Sequence, residues 1–200
     1  MHISEGVLSM PVLLGGAVLA AAGTAVGLKK IDYDQLMRIA ILSAVAFVAS
    51  FIHVPVGPTS AHLVLNGLLG LLLGWAAFPA FLVSLTLQAV LFQFGGLTTL
   101  GVNTFDMAAP AVMLGILCRP FLLRSSRSLS VAAFCCGAGA VLVSGLLTAG
   151  ALALSGGEFL GVAKALFIAH VPIAIIEGVI SGFAVSFLGR VKPEVLDGLS

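Results

Sequence analysis

The chain has 200 residues, 60% of them hydrophobic and only 8% charged, with a mean hydropathy of +1.21; an ordinary soluble domain carries roughly a quarter charged residues. Such a composition excludes a water-soluble fold, and a net charge of +1 supplies no basic surface for nucleic acid. At about 20 apolar residues per helical crossing, the sequence reads as all-α, a single transmembrane domain over 1–200, whose partners are lipid, protein and something small.

The opening MHISEGVLSM lacks the basic stretch of a secretory signal. Met1 is therefore expected to remain as the mature end, with a free amine. His2 follows that amine directly. The Met1 amine, the deprotonated His2 backbone nitrogen and His2 Nδ1 can close two fused chelate rings on one ion, a set that suits square-planar nickel(II) or copper(II) and accommodates cobalt(II). The plainer reading is a solvated terminal imidazole, and residue chemistry alone leaves both open.

Seven helices are expected, because backbone polar groups in hydrocarbon must be satisfied within their own segment: Ser9 to Leu28, Leu36 to Ile52, Ala61 to Gly74, Phe78 to Phe94, Met107 to Leu123, Ser130 to Leu154 and Leu160 to Leu188. The third is short and follows Pro55, Gly57 and Pro58, which predicts irregular backbone lining a cavity. His62, at the start of that helix, can supply a fourth nitrogen if its other ring nitrogen finds an acceptor; it can equally be a helix-end histidine bonded to Thr59 or Ser60. His53, at the end of the second helix, reads as an interfacial ring.

Between the fourth and fifth helices, Asn103, Thr104 and Asp106 follow Gly95, Gly96 and Gly101 in a polar connection. They can cover a buried ligand or cap the fifth helix. In the last span His170 and Glu177 share a face; an intramembrane carboxylate is costly enough to point to function, although a structural pairing on a neighbouring helix serves as well. Gln88 and Gln93 carry the same ambiguity. Cys118, Cys135 and Cys136 form no CxxC pair and read as small buried hydrophobes. Small residues at helix-packing spacing occur in Ala17, Ala21 and Ala25, in Gly70 and Gly74, and in Gly178 and Gly182.

Lys29, Lys30, Arg38, Arg119, Arg124, Arg127, Arg190 and Lys192 fall on one side of the seven-helix arrangement and only Lys164 on the other. The positive-inside rule then predicts an outer N-terminus and a cytoplasmic C-terminus. HExxH, Walker-type and GxSxG signatures are absent, so the sequence offers a site without a motor.

The blocks MHISEG, VPVGPTSAHLVLNGLLGLLLGWAAFP, QAVLFQFGGLTTLGVNTFDMAAP and HVPIAIIEGVISGF, in that order, resemble the CbiM/NikM-type substrate-binding (S) components of energy-coupling-factor cobalt and nickel transporters. The resemblance implies a seven-helix inner-membrane protein whose N-terminal segment tucks into the bundle. It implies that Met1, His2 and His62 bind the ion, with Asn103 supporting them in the wall of the site; His53 has no counterpart among the implied ligands. It also implies transported Co2+ or Ni2+ as cargo, no prosthetic group, an integral-membrane coupling (T) subunit, a separate ATPase pair and a small two-helix membrane subunit. No C-terminal extension resembles the fused small subunit of some relatives, so that partner is expected on another chain or not at all. Two competing readings are an intramembrane metalloenzyme built on His62, His170 and Glu177, and a vitamin-binding S component with an aromatic-walled pocket.

Overall fold

The computed structural model describes residues 2–56, 59–122 and 126–197. Helices dominate: α1 (Met10–Lys29), α2 (Leu36–Ala49), α3 (Asn66–Leu73), α4 (Ala77–Phe92), α5 (Leu100–Leu122), α6 (Ser126–Ser155), α7 (Leu160–Val191) and the short α8 (Glu194–Asp197). By length and apolar composition five stretches could cross a membrane, Met10–Lys29, Asn66–Phe92, Leu100–Leu122, Ser128–Ser155 and Gly157–Val191, of which the second folds back on itself at Gly74–Ala76. Their outer faces are apolar, with Leu14, Val18, Ile168 and Phe183 each more than half exposed, as a lipid-facing surface requires.

The all-α expectation omits one feature. Three strands, β1 (His2–Ile3), β2 (His53–Val56) and β3 (Thr59–His62), form an antiparallel sheet in the order β1-β3-β2. Pro55, which cannot donate to a ladder, sits on the edge strand β2. Two predicted boundaries shift as well. The third helix begins at Asn66 rather than Ala61, because Thr59–His62 pair with β2 as a strand. The fifth begins at Leu100 rather than Met107, so Asn103, Thr104 and Asp106 are helical and do not lie in a loop. Packing against α1 explains the difference: a Cβ on Gly101 would lie 2.5 Å from Ala17 Cα, and one on Gly16 would lie 2.4 Å from Val102 Cγ2. That burial overrides the weak helix propensity of Gly, Val, Asn and Thr.

α3 and α4 form a hairpin inside the bundle. Asn66 follows the His62 strand, the Leu72 carbonyl at the far end accepts from Arg38 at the start of α2, and Phe94, just after α4, returns to lie beside the His2 ring. The turn runs through the 3-10 segment Gly74–Ala76, where Gly74 takes φ +55°. α3 passes α5 at backbone contact: a Cβ on Gly70 would lie 1.9 Å from the Ala111 carbonyl oxygen, and one on Gly115 would lie 2.4 Å from the Gly70 oxygen. Gly67 meets the α6 backbone at Cys136 in the same way, and Gly178 and Gly182 pack inward on α6 at Phe134 and Ser130. On α1 the inward stripe is Gly16, Ala20, Gly23 and Gly27, whereas Ala17, Ala21 and Ala25 are exposed. The core is an apolar cluster around Leu68, Leu69, Phe78, Phe81, Met107 and Ala111.

Candidate metal site

The site is assembled at the sheet end of the bundle. β1 lies beside β3 in the register His2 opposite Ser60 and Ile3 opposite Thr59. Among the described residues no strand pairs with the other edge of this two-residue strand; side chains from the start of α5 take that place. Asn103 Oδ1 accepts the Ile3 N–H at 3.0 Å, Asn103 Nδ2 donates to the Ile3 carbonyl at 3.2 Å, and Thr99 Oγ1 donates to the same carbonyl at 2.8 Å. Ile3 is fully buried. The N-terminal segment is thus held as an inner strand would be, with an amide side chain standing in for a backbone.

Glycines clear the space. At Gly95, φ is +76°, and a Cβ there would lie 3.0 Å from Asn103 Nδ2 and 3.4 Å from His2 Nδ1; one on Gly96 would lie 2.4 Å from the Glu5 carboxyl carbon. Glu5 accepts from the Thr98 hydroxyl and, at 3.0 Å, from the Thr98 N–H. Those bonds, the hydroxyl's first, hold its carboxyl below the ordinary range.

His2 and His62 are both buried, at 4% and 2% exposure. Their rings stack with centroids 4.4 Å apart and planes inclined by 22°, and Phe94 lies 6.0 Å from His2 on another side. His62 is not bonded to Thr59 or Ser60 by its ring: Nδ1 meets the Leu63 carbonyl at 2.7 Å. That acceptor puts the proton on Nδ1 and leaves Nε2 with its lone pair. His62 Nε2 is buried and has no hydrogen-bond partner among the described residues. Burial, opposed by the Leu63 bond, pushes the imidazole pKa down to about 4, so the ring is neutral at pH 7 and able to bind a metal. Two nitrogens sharing one ion at about 2 Å each stand at most about 4 Å apart, a span the stacked rings can provide.

Glu177 belongs to the support of this site. Its Oε1 accepts the N–H groups of Val64 and, at 2.9 Å, of Leu65, fixing the turn between His62 and α3, where Leu65 takes φ +55°. The pairing is structural, as one of the two sequence readings has it, but with the backbone of a turn and not with a polar group on a neighbouring helix. His170 Nδ1 bonds its own helix at the Leu166 carbonyl, and Asp106 Oδ2 accepts from Thr148. Among the described residues no three His, Cys, Asp or Glu side chains form a group able to hold an ion, so His62, His170 and Glu177 do not assemble the ligand set a metalloenzyme would need. Met1 lies outside the described residues. His53 stands in β2, opposite His62 in the register, and does not end the second helix. Leu63 and Thr99 escape sequence reasoning as supporting groups, since neither shows its partner until the chain is folded.

The fold and site define a polytopic membrane protein that encloses a pair of imidazoles beside its own N-terminal strand. The chain belongs to the CbiM family: residues 2–195 match the family model for the cobalt uptake substrate-specific transmembrane region. A Haemophilus influenzae protein whose name assigns it to metal transport is 46% identical, with 98% of this chain and 97% of that one aligned. The cobalt transport protein CbiM of Sorangium cellulosum is 32% identical over all of this chain and 96% of its own length. A crystal structure of a transition metal transporter superposes with a TM-score of 0.81 at 30% identity, covering 96% of this chain and 93% of that one.

Proposed function

We propose that this chain is the substrate-capture subunit of an energy-coupling-factor importer for cobalt or nickel ions. In this reading residues 1–200 form one domain in the bacterial inner membrane, N-terminus outside and C-terminus cytoplasmic. The ion is held by the Met1 amine, the His2 backbone nitrogen, His2 Nδ1 and His62 Nε2, four nitrogen donors suited to a planar site. The observation that carries the reading is the stacked, buried His2–His62 pair, with the Nδ1 bond to Leu63 leaving Nε2 as the donor. Asn103 acts through Ile3, keeping His2 in register, and supplies no ligand itself.

Release of the ion inward requires work that this chain does not supply, so the reading includes a coupling membrane subunit, an ATPase pair and a small two-helix subunit on other chains. The fused form of a relative supports a partner component beside this one: 57% of this chain aligns at 39% identity with 35% of the fused nickel transport protein NikMN of Rhodobacter capsulatus.

Calorimetric titration of the purified protein with nickel and with cobalt tests the site. An added residue ahead of Met1 and, separately, His62→Ala should each abolish tight binding of both metals. Undiminished binding by the extended chain would refute the terminal-amine site.

A further inference from the structure

At the end of the bundle opposite His2, four helix ends meet around a cavity of about 220 Å³ lined by Lys30, Gln35, Arg38, Gly74, Trp75 and Arg119, with no carboxylate in its wall. Arg38 donates to the Leu72 carbonyl at 2.6 Å and Arg119 to the Leu71 carbonyl at 3.1 Å. Capping α3 in this way uses few of the five N–H donors on each guanidinium. Arg119 Nε is buried with no hydrogen-bond partner among the described residues. The two guanidinium groups line the same cavity from adjacent carbonyls, and Lys30 Nζ adds a third charge 5.4 Å from the Trp75 ring centroid. Helix capping alone does not account for three cations on one cavity with no anion among its described lining residues.

The adjoining surface supplies the other half of a ligand. The residues next in sequence to Lys30, Gln35 and Arg38 are Ile31, Leu36 and Ile39. They open onto an apolar groove of about 410 Å³ between α1, α2 and α4 that continues along Phe47, Val83 and Leu87. We propose that this corner binds an anionic phospholipid, its phosphate between Lys30, Arg38 and Arg119 and an acyl chain in the groove. A basic pocket between helices at the level where charge meets hydrocarbon matches an anionic headgroup, and a tryptophan at that depth matches the membrane interface. A soluble phosphate would leave the groove unused, and an acidic side chain from a partner would do the same.

Trp75 is the only tryptophan in the chain, so its fluorescence reports this corner alone. The full-length protein is reconstituted in phosphatidylcholine vesicles containing a minor fraction of lipid brominated on its acyl chains, either phosphatidylglycerol or phosphatidylcholine. Each basic side chain near an anionic headgroup contributes roughly a fivefold preference. Brominated phosphatidylglycerol should therefore quench Trp75 at a mole fraction at least about fivefold lower than brominated phosphatidylcholine. Lys30→Gln should reduce that ratio by about the same factor, and Lys30→Glu should reduce it further. Both variants should keep nickel binding at the opposite end, which confirms that they fold. Equal quenching by the two lipids would overturn the proposal. So would a preference that Lys30→Glu leaves undiminished in a folded protein, or displacement of brominated phosphatidylglycerol by millimolar inorganic phosphate, which would mark a small-anion site.

Discussion

His62 and the terminal amine divide the pH dependence between them. A ring with a pKa near 4 carries no proton to displace at pH 7, whereas an α-amine ordinarily titrates at about 7.7–8.0. If the amine and the deprotonated His2 backbone nitrogen are both ligands, binding releases a proton from each, and nickel affinity should fall as pH drops below about 8 by about a hundredfold per unit. An affinity flat down to about pH 5 would instead assign control to an imidazole and remove the amine from the site. Asn103 offers a separate test because it donates nothing to the ion. Asn103→Leu keeps the volume but strands the Ile3 N–H, a loss of about 1–3 kcal/mol. Calorimetry should show metal affinity lowered by about 10–100-fold, the usual effect of an outer-shell change. An unchanged affinity would mean that β1 does not need its clasp.

Among the elements, the glycine contacts set how much each interface tolerates. At Gly95 a side chain meets both a left-handed φ and the Asn103 amide. Gly95→Ala should therefore cost about 1–2 kcal/mol and speed hydrogen exchange at the Ile3 amide. Gly70→Ala is more severe because its Cβ meets the α5 backbone, which cannot turn aside as a side chain does; we expect at least about 3 kcal/mol, read as a lowered Tm or loss of folded protein. The sequence makes α1, α4, α6 and α7 legible to within a few residues, since long apolar runs identify themselves. It hides the sheet and the start of α5. Two residues of β1 have no periodicity to read, and one edge of that strand is completed by Asn103, whose partner lies 100 positions away. His2 and His62 stand out as residues, but their stacking, and the Leu63 acceptor that fixes the tautomer, appear only after folding.

For the whole molecule, alternation of the helices leaves Lys164 at the sheet end while Lys30, Arg38, Arg119, Arg190 and Lys192 lie at the other. Single cysteines on a background without Cys118, Cys135 and Cys136 can test the orientation. Lys164→Cys should react with an impermeant maleimide added outside intact cells, and Lys192→Cys should react only after the membrane is opened. The reverse pattern would turn the site to face the cytoplasm. The direct backbone contact between α3 and α5 also bears on how an ion leaves. Two helices whose main chains touch have no intervening side chains to rotate, so they travel as one rigid block. The His62 turn, bonded to Glu177, is tied to that block through α3. β1 is held by a two-residue pairing with β3, by the Asn103 and Thr99 bonds to Ile3 and by a surface carboxylate, with no backbone contact to that block through a helix among the described residues. On the proposed site, His2 rather than His62 is the imidazole expected to withdraw, and the lifetime of a captured ion would then be the unlatching time of the chain's own first residues.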